Sequence, residues 1–478
     1  METNLDAGDP PQADARVHKA MLEGHPGKPR YTSVSPECAL RAPGPKSGGG
    51  GMADALVSGA SVRKDVEVQL LSAAPVAQVP MDEAERLTRL AELAVRIGAN
   101  VQPGQLVVVN GMVENAPLMR EIARAAYRAG AQRVEASYRD MHFVRALIEL
   151  GPVESLGMSA PWDLAMVETL VANKGAFIQV SGDAEPTLLA DLDGKKVGRA
   201  RPRELAAELI RVIGDHLICW AVVPAPNPGW ARQVFGTPDI DALWQAVERA
   251  VRLDDPDPVA AWQRHITRLH QIAGELTARR LDSVRYRGPG TDFTVGLLPT
   301  SKWIGGFEET AFGVRFAPNL PTEEVFTSPD PRRAEGSLRA TRPLQVGGTV
   351  VRDLAVEFHE GRIVAVDATS GADVVRGQLA IDANAARLGE VSLVDGSSAV
   401  GQLGLTFFNT LFDENATCHV AYGAGFPFCV DGDADRAEVN DSTVHTDFMI
   451  GGTEVEIDGM ERGGAWVPIL RDNEFQIV

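Results

Sequence analysis

The chain has 478 residues, 44% of them hydrophobic, with 46 basic against 65 acidic side chains and a net charge of −19. More than one domain is expected at this length, and the acidic balance argues against a nucleic-acid partner, because phosphate contacts need basic clusters. There is no apolar run of membrane-spanning length and no signal-peptide h-region, and the four cysteines (Cys38, Cys219, Cys418, Cys429) form no CxxC pair, so no membrane partner and a reducing, cytoplasmic location are expected.

Residues 1–80 are rich in Pro, Gly, Ala and Ser and include PGPKSGGGGM. They read as a disordered or non-native leader extension, with Met52 and Met81 as alternative starts. From Asp82 a helical period begins, with Leu87, Leu90, Ala91, Ala94 and Ile97 on one face and Gly98 closing it. LVVVN, QRVEASYRD, GAFIQVSG and HLICWAVV read as strands. NAPLMREIARAAYRAG, DALWQAVERAVRL and PVAAWQRHITRLHQIAGELTARRL read as helices. Strand–helix–strand order implies a parallel sheet with right-handed crossovers. The turn NGMVENAP lacks a GxGxxG or P-loop spacing, which counts against a nucleotide-binding protein. His265 and His270, on the last of these helices, read as surface residues.

Near Leu281 the pattern changes to alternation broken by Gly-containing turns, the signature of antiparallel hairpins. HEGR, at His359 to Arg362, reads as one such turn, with His359 exposed. The expected fold class is therefore α/β and multidomain. An N-terminal α/β domain with a parallel sheet spans 81–280, and a C-terminal, mixed β-rich α/β domain spans 281–478.

Chemistry concentrates late in the second part. His445-Thr-Asp447 is an H-x-D on an extended segment, where side chains two apart share a face, so both can aim at one divalent ion. His419 comes from a separate segment that follows DEN. A satisfied structural histidine is the competing reading for each. Glu324, in PTEEVFTSPD, and Glu390, in RLGEVSLVD, stand out because a carboxylate facing a β-domain interior needs a partner or a metal; a surface glutamate is the default for either alone. Asp413 and Glu414 are candidates for pairing with a substrate α-amine, and a capping or turn role is the alternative. Cys418, beside His419, reads as a buried small hydrophobe.

Together PTEEVFTSPD, RLGEVSLVD, LFDENATCHVAYG and STVHTDFMIGG resemble the aminopeptidase T / aminopeptidase S family of metallopeptidases, and the likeness runs from about residue 81 to the end. The resemblance implies a dinuclear centre with Glu324, Glu390, His419, His445 and Asp447 as ligands of two divalent ions, Zn, Co or Mn. It implies a metal-dependent aminopeptidase that removes N-terminal residues from short peptides through a metal-activated bridging water, acting as a homodimer. One position departs from the pattern. Phe426, in GAGFPFCV, stands where the family usually has an active-site tyrosine, which opens a second reading: a weakened member that binds metal and peptide with little turnover. Tyr422, in the same segment, is a candidate source of the missing hydroxyl.

Overall fold

Asp82 caps the first helix, Glu83–Leu93, by accepting a hydrogen bond from the Glu85 N–H at 2.8 Å. The computed structural model describes residues 81–346 and 349–477, so the expectations for residues 1–80 lie outside the described residues. Leu90, Ala91, Leu93 and Ala94 turn the apolar face of this helix into a core that also takes Val107 and Val109 from the first strand. The fold is mixed α/β. Four strands, Leu106–Met112, Arg133–Arg139, Ala176–Ser181 and Cys219–Pro224, form a parallel sheet in the spatial order second, first, third, fourth. Among the described residues, no helix is long and apolar enough to cross a membrane.

The last strand of this sheet helps to place the later site. The Val222 N–H donates to the Pro318 carbonyl at 2.7 Å, and the Leu320 N–H returns to the Val222 carbonyl at 3.0 Å. The segment before Glu324 is thereby hydrogen-bonded along the edge of the parallel sheet, and Phe316, Ala317 and Leu320 join its core. Phe407 and Phe412 enter the same core against Trp230, whose indole N–H donates to the Phe407 carbonyl at 2.7 Å.

After the 22-residue helix Pro258–Arg279 the chain becomes β-rich. An eight-stranded sheet and a five-stranded sheet share a second core, built around Tyr286, Phe293, Val391, Val420 and Phe448. Two-residue periodicity explains this layering, since each strand turns alternate side chains inward. The turn at Glu360-Gly361 has both residues at positive φ (48° and 78°), joins Ala355–His359 to Arg362–Asp367 and leaves His359 exposed, as the sequence suggests.

The five-stranded sheet carries the site. Its order is His445–Met449, His419–Gly423, Leu388–Leu393, Val325–Thr327, Ile304–Gly305, with every neighbouring pair antiparallel. Two glycines let its strands close up. A Cβ on Gly389 would meet the Ala424 carbonyl oxygen at 2.0 Å. Gly423 has φ +101°, and a Cβ there would meet the Val444 carbonyl oxygen at 2.0 Å.

Candidate metal centre

Strand register places the candidate ligands in rows on one face of this sheet. Glu390, Ala421 and Asp447 lie opposite one another across three strands; Ser392, His419 and Met449 form the next row, and Gly423 faces His445. Glu324 precedes the strand Val325–Thr327, whose Phe326 pairs with Ser392. The five residues fall into two groups with Glu390 common to both: Glu324, Glu390 and His419, and Glu390, His445 and Asp447. Within each group the potential ligand atoms lie within 4.8 Å of one another.

The contacts are those of a cluster waiting for positive charge. His419 Nε2 lies 3.1 Å from Glu324 Oε2 and 3.9 Å from Glu390 Oε1. His445 Nε2 lies 3.2 Å from Glu390 Oε2 and 3.5 Å from Asp447 Oδ1. Each imidazole turns its other nitrogen to a backbone carbonyl, His445 Nδ1 to Ala424 at 2.8 Å and His419 Nδ1 to Thr417 at 3.3 Å. With Nδ1 committed to these carbonyls, each Nε2 faces the carboxylates and is the nitrogen open to a metal once its proton is displaced. The Ser392 hydroxyl donates to Glu324 Oε2 at 2.5 Å and fixes that carboxylate.

Electrostatics say the same. Burial opposes charge on His419, but the hydrogen bond to Glu324 and the charges of Glu324, Asp447 and Glu390 raise it to about 10. Burial, then Asp447 and Glu324, push Glu390 up to about 7 against the pull of His445. Glu414, outside both groups, is pushed well above the usual carboxylate range by burial and by Asp447, Glu324 and Glu390. Asp447 Oδ1 is buried without a hydrogen-bond partner. Four carboxyl groups crowd two imidazoles, and Asp447 Oδ1 has only a long ion-pair contact with His445. A divalent cation bound by mixed oxygen and nitrogen donors answers both features.

Residues 83–475 match the thermophilic metalloprotease (M29) family. The chain belongs to this family. The M29 chain is 40% identical to aminopeptidase T of Thermus thermophilus over 409 residues, 83% of this chain and 100% of that one. Aminopeptidase AmpS of Bacillus subtilis is 34% identical over 407 residues, 82% of this chain and 98% of its own. In structure, wild-type AmpT from Thermus thermophilus superposes with a TM-score of 0.77 at 38% identity, covering 82% of this chain and 99% of that chain. The M29 protein is an enzyme, a metal-dependent hydrolase of peptide bonds.

The other candidates of this M29 chain take distinct places. Glu414 lines the same space as the two ligand groups. Asp413 instead accepts the Phe407 N–H at 2.6 Å and the Asn409 N–H at 3.0 Å, the turn role rather than an open carboxylate. Phe426 is half-buried with its ring centroid 5.2 Å from that of His445. Tyr422 does not replace the absent hydroxyl: it is fully buried in the second core, and its hydroxyl donates to Gln378. Three residues separate it from His419, and on a strand that puts it on the opposite face. Cys418 is buried, which pushes its thiol up to about 12. His265, read as a surface residue, has a side chain only 9% exposed, whereas His270 is exposed and packs on Phe307.

A cavity of about 570 Å³ opens over the ligand face. Its walls are mostly apolar, with Ile213, Trp220, Ile304, Phe326 and Phe428, and also carry Arg211, Asp215 and Glu308. A second cavity of about 170 Å³, with Gln378, Asn409 and Thr410 in its lining, meets the first at Glu414, His445 and Asp447.

Proposed function

We propose that the protein is a metal-dependent aminopeptidase acting on short peptides, with a dinuclear centre held by Glu324, Glu390, His419, His445 and Asp447. The observation that carries this is the sharing of Glu390 by two three-residue donor groups on one sheet face. Two divalent ions bound by these residues would supply Lewis acidity toward a peptide carbonyl and an activated water near neutral pH. The protein's own contributions are distinct. His419 and His445 present Nε2, Ser392 holds Glu324 in place, and Glu414 carries a proton between the attacking water and the departing amine. The apolar cavity takes the side chain of the N-terminal residue, and its walls keep water away from the reacting bond. The relatives' names, aminopeptidase T and aminopeptidase AmpS, support exopeptidase action. A cytoplasmic homodimer is part of the same reading and rests on the family resemblance and the sparse cysteines.

The amine requirement and the cavity give one experiment. Leu-Gly-Gly should be cleaved and its N-acetyl form should not. Apolar N-terminal residues should exceed Asp and Glu by at least about tenfold in kcat/KM, because an acidic side chain would be desolvated against the apolar walls of the cavity. Equal cleavage of the acetylated peptide would overturn the exopeptidase reading.

Phe426 supports a second reading, a weakened enzyme with an intact metal site. Its ring packs on His445, Phe326 and Phe428, so the aromatic shape is kept while any hydrogen bond to a developing oxyanion is absent. Phe426→Tyr is expected to raise kcat at least about tenfold at equal metal loading, since removing one oxyanion donor costs about 10²–10³ in rate. Stability should change little. An unchanged kcat would show that the missing hydroxyl does not limit this protein.

A further inference from the structure

Glu323 stands next to Glu324, and the two carboxylates do opposite things. Adjacent residues on an extended backbone point to opposite faces. Glu324 joins one ligand group, and Glu323 belongs to neither. Instead the Glu323 side chain is 1% exposed on the other side, and a buried carboxylate persists only when it is fully paired. Its partners are unusually complete. Arg252 donates to both oxygens, Nη1 to Oε1 at 2.6 Å and Nη2 to Oε2 at 2.9 Å. His265 Nε2 lies 3.2 Å from Oε2 and 2.9 Å from the Thr322 carbonyl, and the Ala399 N–H donates to Oε1 at 3.3 Å.

The arginine is itself held. Its guanidinium lies 5.1 Å over the ring of Trp262, which is fully buried and donates its indole N–H to the Val251 carbonyl at 2.7 Å. Arg252 Nη2 also lies 3.2 Å from His265 Nδ1, and His265 packs edge-on against Trp262 at 5.5 Å. This places Nδ1 as acceptor and Nε2–H as donor, a neutral ring that completes the cage. Arg252 has φ +55°, so the turn after the helix Ile240–Ala250 is bent to deliver it. On the backbone side, the Glu323 N–H donates to Asn415 Oδ1 at 2.7 Å, and Asn415 Nδ2 donates to the Leu411 carbonyl at 2.9 Å. Asn415 is fully buried and directly follows Glu414.

We infer that Arg252, acting through Glu323, is the positioning residue that presents Glu324 to its ion and keeps that ligand in register with Glu414. The cage ties four stretches of chain at one point: the Arg252 turn, the helix Pro258–Arg279, the loop at Ala399 and the segment that carries Glu414. Glu390, His419, His445 and Asp447 lie within paired strands, Glu390 just after a register shift, and the sheet holds them. Glu324 lies just outside its strand, so its backbone leans on this anchor while Ser392 holds its carboxylate. The inference rests on the metal-centre reading above.

The test uses the full chain, stripped of metal and titrated with Co²⁺ alone, followed by equilibrium dialysis and visible absorption. Wild type should take up two Co²⁺. Arg252→Lys keeps the charge but loses the planar two-pronged contact. It should weaken one Co²⁺ by about 10–100-fold and alter its visible spectrum, as loss of an orienting partner does in metal sites. The other ion, toward His445 and Asp447, should stay within about twofold. Glu323→Gln, which keeps the shape and the backbone bond to Asn415, should show the same selective loss and guards against a variant that fails to fold. A merely structural pair would lower the melting temperature of the metal-free protein and leave both Co²⁺ affinities alone. Unchanged affinities in either folded variant, or equal weakening of both ions, overturn the inference. Wild type that takes up no Co²⁺ overturns the metal-centre reading itself, and the clamp with it.

Discussion

Glu390→Ala is expected to lose both metal ions at once and at least about 10³ in kcat/KM, while the fold persists. Glu390 offers Oε1 toward His419 and Oε2 toward His445, so its removal opens both donor groups. Metal assistance supplies several kcal/mol to hydrolysis, and each 1.36 kcal/mol is a factor of ten. His445→Ala opens only one group and should leave one ion per chain. The metal-free Glu390→Ala protein should melt close to metal-free wild type. In that form Glu390 is a buried carboxyl pushed up to about 7, first by burial and then by Asp447 and Glu324 against the pull of His445, so its removal relieves crowding and forfeits one ion pair. Metal content and melting temperature of both variants, with and without added ion, check this. Full metal loading in Glu390→Ala would show that the shared carboxylate is not a bridge between the groups.

Glu414→Gln is expected to lower kcat by about 10²–10⁴ and leave KM nearly unchanged. The side chain lines both cavities where they meet, beside the ligands but in neither group. A proton carrier acts mainly in the transition state, so its loss falls on kcat. An anchor for the substrate α-amine would contribute to ground-state binding, and its loss would raise KM with kcat largely kept. Both kinetic constants on one dipeptide, at equal metal content, separate the two roles. A rise confined to KM would return Glu414 to the amine-binding role that the DEN triplet also suggests.

The parts of the site written in local spacing are legible in the chain. His445 and Asp447 share a face because they are two apart on a strand, and the structure keeps them together. The same rule separates Tyr422 from His419, three apart, and predicts that its hydroxyl cannot serve the site. His265 shares a helical face with Trp262 and Leu269, both fully buried, and that spacing marks it as an interior ring rather than a surface one. What spacing does not carry is adjacency between distant strands. Nothing local places Glu390 opposite Ala421 or Ser392 beside Glu324; only the motifs shared with the family point to those glutamates. The doublet at Glu323 and Glu324 is intermediate. Its alternation tells that one carboxylate must face away from the site, but not that Arg252, 71 residues earlier, receives it.

The parallel sheet is legible for the same reason as the H-x-D. LVVVN and HLICWAVV are short apolar runs bounded by turns and amphipathic helices, and they appear as strands of one parallel sheet. The hydrogen bonds of Val222 with Pro318 and Leu320, which hold the approach to Glu324, link a strand to a distant loop and leave no local mark.

Metal and turnover are assigned to one site. The direct measurement is the metal content of the purified full chain, taken beside its rate on a leucyl dipeptide before chelation, after chelation and after adding back one ion at a time. The expected result is about two divalent ions per chain, loss of turnover as they are removed, and recovery with Zn, Co or Mn. Undiminished turnover in metal-free protein would contradict the account.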